Sequence, residues 1–166
     1  MKTIFAMFEN YEDAKAAVDE LLEREFDERE MNAIVLEEIA KDYMEVNLER
    51  VHVKVTEKVG EKTAVGLDHL LGTQQPVEIP GVGEIYAAGE LATVLSKTAA
   101  APGAVAGSLK AALMDFGVRE EVAKAYTVGV NDGGLLFWIR TSDERAPETI
   151  NVLRDHEGAY VADHSS

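Results

Sequence analysis

Four histidines and a surplus of carboxylates are the side chains of this 166-residue chain most suited to chemistry. His156 follows Asp155 and His164 follows Asp163, so the two pairs could offer imidazole nitrogen and carboxylate oxygen to a divalent metal. Scattered surface histidines explain them as well, as they do His52 and His69, and no resident metal is expected. The acidic runs "DELLEREFDERE" and "LEEIAKDYMEVNLE" suggest paired acid and base groups. A solvated helix face explains them better, because nothing nearby separates their proton affinities. Ser96, Ser108 and Ser142 lack the strand-turn-helix setting of a nucleophile elbow. The stretch "PGVGEIYAAGE" has glycines but neither G-x-G-x-x-G nor Gly-Lys-Ser/Thr, and Glu84 would repel a phosphate. Trp138, inside "LLFWI", is read as core. Facing the open side of a sheet it would instead line a ligand pocket with Tyr86 or Tyr126.

The elements that would position these residues follow from periodicity. "TIFAMF" at 3–8 reads as a strand. Asn10 then caps a helix, with Asp13 at the position that completes a capping box. Ala14, Ala17, Val18, Leu21 and Leu22 recur at helical spacing, and "NAIVLE" supplies a second strand. The last third repeats the order: "GGLLFWIRT" as a buried strand, a helix starting near Ala146 because Pro147 cannot sit deeper, and "AYVADH" as a closing strand. Between them, "VHVKV" alternates like an edge strand. Residues 103–117 read as a helix ended by Gly117, and another helix follows from Val118 with Val122 and Tyr126 inward.

Two β-α-β halves predict an α+β fold, a ferredoxin-like sandwich in one domain over 1–166. Its core would comprise 1–37 and 117–163. A long, mainly helical, Gly- and Ala-rich insertion would occupy 38–116, between strands 2 and 3. "IFAMF" and "LLFWI" should be the central strands of a four-stranded sheet, being apolar throughout. The two core helices would cover one face. The other needs either the helices of 64–116 or a second subunit, with Gly89, Gly103 and Gly107 allowing close approach.

Composition narrows the function. The chain has 31 acidic and 16 basic residues, a net charge of −15, which opposes binding to nucleic-acid phosphates or to an anionic membrane. Cysteine is absent, so disulfide, thiolate and iron–sulfur chemistry is out of reach, in keeping with a reducing cytoplasm. Uncharged windows such as "TAAAPGAVAGSL" fall short of the ~20 residues of a transmembrane helix, and the first residues read as a strand rather than a signal peptide.

Read end to end, the sequence resembles the bacterial general stress, or heat-induced stress, protein domain family. The resemblance is carried by "FAMFENYEDAKAAVDELLEREFDEREMNAIVL", "IPGVGEIYAAGELATVL" and "FGVREEVAKAYTVGVNDGGLLFWIRTSDERAPETINVLRDHEGAYV". Glu84 and Glu90 stand where prolines are usual in that family, and 38–62 is more charged. The resemblance implies a stress-associated, non-enzymatic protein without a cofactor. The residues themselves suggest a homodimer, through exposed sheet edges and an apolar insertion. The competing expectation is a small-molecule-binding regulatory module, with its ligand between sheet and insertion or at a dimer interface. A pocket above about 300 Å³ with converging polar groups favours that second reading.

Overall fold

The computed structural model describes residues 1–42, 77–79, 82–99 and 108–165. Strand β1 (Lys2–Phe8) leads into helix α1 (Tyr11–Glu23), a single 3-10 turn (Glu28–Glu30) and β2 (Met31–Leu36). A helix begins at Glu37. After it come β3 (Val77–Ile79), β4 (Gly83–Ala88), α2 (Glu90–Ala99), α3 (Ser108–Asp115), α4 (Glu120–Asn131), β5 (Leu135–Thr141), α5 (Ala146–Asp155) and β6 (Ala159–Ser165). The fold is α+β.

Local chemistry accounts for several boundaries. Asn10 is extended, its Oδ1 accepts from the Asp13 backbone N–H at 2.9 Å, and its amide nitrogen donates to Asp13 Oδ2 at 3.0 Å. One orphan donor of the first turn is thereby satisfied. Helix α5 starts at Ala146, which leaves Pro147 in the first turn, where its missing N–H costs nothing. Gly117, at φ +96°, closes the segment after α3.

The six strands form one sheet in the order β3-β4-β2-β5-β1-β6, with every neighbouring pair antiparallel. Four strands in a sheet flanked by a mainly helical stretch were expected; instead Val77–Ile79 and Gly83–Ala88 form a hairpin that widens the sheet along β2. The physical reason lies in "EIYAA". Ile85 and Ala87 point to one face and Tyr86 and Ala88 to the other, so the run has strand periodicity and two apolar faces to bury. The edge strand expected in "VHVKV", and Gly103 and Gly107, lie outside the described residues.

Both faces of the sheet are covered by helices of the same chain. On the first, Ile4, Ala6 and Phe8 of β1 and Leu135, Phe137 and Ile139 of β5 pack with Val18 and Leu21 of α1 and Val152 and Leu153 of α5. On the second, Phe5, Met7, Leu136 and Trp138 meet Leu95 of α2, Leu109 and Leu113 of α3, and Tyr126 and Val130 of α4. Each large apolar side chain buried this way contributes roughly 1.5–3 kcal/mol. The interior strands β1 and β5 are thus buried on both sides, which is why their sequences show no polar alternation.

Helix α2 is seated by a long-range cap. Gly89 precedes it at φ +100°, and a Cβ there would collide with the Met31 carbonyl oxygen and Asn32 Oδ1. With no side chain at the cap position, Asn32 of β2 takes over: buried to 2% exposure, its Oδ1 accepts from the Ala92 N–H at 3.0 Å.

Helices α1 and α5 are tied by an alternating charge chain. His156 Nε2 lies 2.8 Å from Glu20 Oε1, Arg24 Nε donates to Glu20 Oε2 at 2.8 Å, and Arg24 also reaches Glu148 at 3.2 Å. Arg145 closes the chain onto Glu148 while its guanidinium sits 3.7 Å above the Phe26 ring.

Candidate functional site

The three aromatic residues proposed as pocket walls do not come together. Trp138 is fully buried on the second face, stacked on Phe5 at 5.1 Å, and Phe5 in turn stacks on Tyr126 at 5.8 Å. Tyr86 lies on the opposite face, because β4 pairs it with Val35 and both point to the α1 and α5 side. The three are core. Trp138 Nε1 has no hydrogen-bond partner among the described residues.

The proposed metal ligands also separate. His156 caps α5 and is engaged with Glu20, whereas His164 belongs to β6, its backbone opposite Thr3. The His156 ring, and after it Arg24, holds the Glu20 carboxyl below the usual carboxylate range. Among the described residues no three His, Asp or Glu side chains converge as a ligand set. Ser142 accepts at its Oγ from the Arg145 N–H at 3.3 Å and shapes the turn into α5.

A concavity with an apolar floor lies elsewhere, where α4 meets the end of β1 and the start of β6. Among the described residues, strand β6 lies at the edge of the sheet and pairs only with β1. Its register slips by one residue: Phe5 faces Ala162 but Met7 faces Ala159, so Tyr160 and Val161 together oppose Ala6. Such a bulge bends an edge strand and re-aims a side chain. Tyr160 has φ +50°, a conformation that costs energy for a residue with a Cβ, and its side chain is 64% exposed. The Tyr126 hydroxyl, coming from the core side of α4, donates to the Tyr160 carbonyl at 2.6 Å and fixes the bulge. Burial pushes the Tyr126 phenol well above its ordinary pKa, which keeps it a donor.

The resulting groove encloses 540 Å³. Met7 and Ala159, with the backbone of Phe8 and Gly134, form its floor, and Ala125, Val128 and Gly129 its helical wall. A Cβ at Gly129 would stand 2.6 Å from Met7 Sδ, so the Met7 thioether occupies the space a side chain there would need. Around the rim stand Glu9, Glu121, Lys124 and Asp132, all exposed, with Tyr160 at the lip. Its location differs from the expected one: the space between sheet and helices is filled by core side chains, and none of Trp138, Tyr86 or Tyr126 lines the groove.

A second concavity of 520 Å³ lies beside the β3–β4 hairpin, lined by Glu37, Lys41 and Glu84 among others. The hydrogen bond to Glu37 and its charge push the Glu84 carboxyl up, while the same bond and, after it, Lys41 hold that of Glu37 down. Glu84 is exposed whereas the Glu37 side chain is largely covered, so water screens the pair from one side.

Sequence reasoning missed the groove residues. Glu121, Ala125, Val128 and Asp132 recur at helical spacing on the face of α4 away from the core, a pattern visible in the sequence but indistinguishable there from a solvated face. The chain matches no family model, no curated protein and no solved structure.

Proposed function

We propose that the chain is a non-enzymatic, cytoplasmic protein of the general stress type whose working site is a ligand-binding groove between α4 and the bulged edge strand β6. The observation that carries this reading is the 540 Å³ groove with an apolar floor and four charged groups on its rim, a size and make-up suited to a small molecule. The backbone strain at Tyr160 supports it, because strained residues held by a buried hydrogen bond concentrate at ligand sites. The charge of −15 argues against nucleic acid as the partner. Among the described residues no helix is long and apolar enough to cross a membrane.

The same proposal treats β2-β5-β1-β6 as a ferredoxin-like core, β1-α1-β2 and β5-α5-β6 being its two halves. The β3–β4 hairpin with α2 and α3 would be the insertion. Strand order and the antiparallel pairing of β5 with both β1 and β2 support this reading.

Self-association through β6 is the second reading. Its seven residues form the longer edge of the sheet, against three in β3 at the other edge, and an unpaired edge is a template for another strand.

The test is native mass spectrometry of the protein purified gently from its own host, beside Ala125→Trp, which fills the groove from a partly exposed wall. A small molecule retained at one per chain by the wild type and lost from the variant is the expected result. A ligand-free wild type, or equal retention by both, overturns the groove reading. A ligand-free dimer directs attention to β6.

A further inference from the structure

The groove between α4 and β6 has a chemistry that selects among ligands, and this inference rests on the reading of that groove as the binding site. Its rim holds Glu9, Glu121 and Asp132 against Lys124, a local charge of −2. Among the described residues none of these three carboxylates forms an ion pair; the nearby lysine bridge on this side of the fold is Lys110 to Glu120 instead. The rest of the chain reinforces the field, since a net charge of −15 draws cations and repels anions over the surface. The floor is a different matter. Met7 and Ala159 offer no polar side-chain atoms to a hydrated ion, and among the described residues the carboxylates do not converge as a metal-ligand set. A bare metal ion has nothing to hold it there. An apolar body on the floor with a positive group at the rim satisfies both surfaces.

Tyr160 supplies the third element. Its ring stands at the lip, exposed, on a backbone that the Tyr126 hydroxyl holds at positive φ. An electron-rich ring face beside a carboxylate rim is the arrangement that binds ammonium groups. We infer that the groove binds an organic amine or quaternary ammonium compound with an apolar body, its cation drawn to the acidic rim and resting against the Tyr160 ring, its body lying on Met7, Val128 and Ala159.

The experiment uses the full chain and three defined probes: 4-phenylbutylamine, its anionic counterpart 4-phenylbutyrate, and spermidine, which has charge without an apolar body. Backbone amide NMR titration reads both affinity and location. The amine is expected to bind, shifting Met7, Phe8, Val128 and Tyr160 amides, with 4-phenylbutyrate at least about tenfold weaker because of the rim charge. The double variant Glu121→Gln with Asp132→Asn is expected to weaken the amine about tenfold, and Tyr160→Leu about threefold, while leaving the melting temperature unchanged. Raising salt should weaken the amine and not the carboxylate.

Equal binding of amine and carboxylate overturns the inference, as does spermidine binding as tightly as the amine. Shifts confined to other residues, or amine binding abolished when the chain dimerises, overturn it too. A neutral or anionic molecule retained by the native protein and lost from Ala125→Trp refutes the cation preference while the groove reading stands. Amine binding unaffected by Ala125→Trp refutes both.

Discussion

Replacing Asn32 by alanine tests the most specific piece of long-range positioning in the fold. Asn32 Oδ1 caps α2 from another strand, because Gly89 occupies the cap position with no side chain of its own. The acceptor is 2% exposed and its bond to the Ala92 N–H measures 3.0 Å, so removing it takes away the side-chain acceptor of that N–H. Loss of a helix cap costs about 1 kcal/mol, and a buried amide left unsatisfied brings the total to about 1.5–2 kcal/mol. The second bond, from Asn32 Nδ2 to the Glu30 carbonyl, is long at 3.4 Å and adds little. For a chain of this size about 1.5–2 kcal/mol corresponds to a fall in melting temperature of roughly 3–8 °C. Urea denaturation followed by circular dichroism reads the effect as a lower midpoint at unchanged slope. Asn32→Asp keeps the acceptor and places a negative charge at the positive end of the helix, so it should recover part of the loss despite burying a charge. An Asn32→Ala midpoint equal to wild type would refute the remote cap; so would equal losses in the alanine and aspartate variants.

Tyr126→Phe removes the 2.6 Å bond to the Tyr160 carbonyl and should cost about 1–1.5 kcal/mol in chemical denaturation. Because burial raises the Tyr126 pKa in the folded state, its contribution is full below the ordinary phenol pKa and declines as pH rises above about 10. Absorbance titration should therefore show a tyrosine step that appears only on alkaline unfolding and is lost in Tyr126→Phe. Trp138→Glu places a carboxylate at a fully buried position against Phe5, a change expected to exceed about 4 kcal/mol and to leave no cooperative melt; an unchanged melting curve would sink the core placement. Glu84 has a folded-state pKa raised by Glu37, so its contribution is present below its ordinary pKa and lost as pH rises through the raised value. Glu84→Gln should therefore melt above wild type at pH 7, with the difference shrinking as the buffer is taken toward pH 4; a lower melting temperature at pH 7 contradicts the raised carboxyl of Glu84.

Several elements were legible because one short stretch of chain decides them. Asn10 and Asp13 stand three residues apart and make their bonds within one turn. The start of α5 at Ala146 follows from Pro147 alone. The continuous apolarity of "IFAMF" and "LLFWI" announced strands buried on both faces, and β1 and β5 are interior neighbours in the sheet. "EIYAA" misled because Gly and Ala on either side of it lower the contrast between strand and helix periodicity. Only pairing with Ala33–Leu36 makes it a strand.

The candidate site was hardly legible at all. Tyr160 reads as an ordinary strand residue in "AYVADH", and the slip that turns it outward exists only relative to β1. Tyr86 and Trp138, both aromatic and both in strands, were candidates for one wall until register set them on opposite faces. The sequence by itself determined the fold class, the interior strands, the local caps and the acidic field that disfavours phosphate partners. These depend on residue type, period and summed charge, which are properties of the chain read in order. Tertiary structure alone decided which face each aromatic meets, how Asn32 reaches Ala92 across sixty positions, and where carboxylates, an apolar floor and Tyr160 gather around one groove. Such features come from contacts between distant segments, and a one-residue change of register rearranges all of them without changing a single local preference.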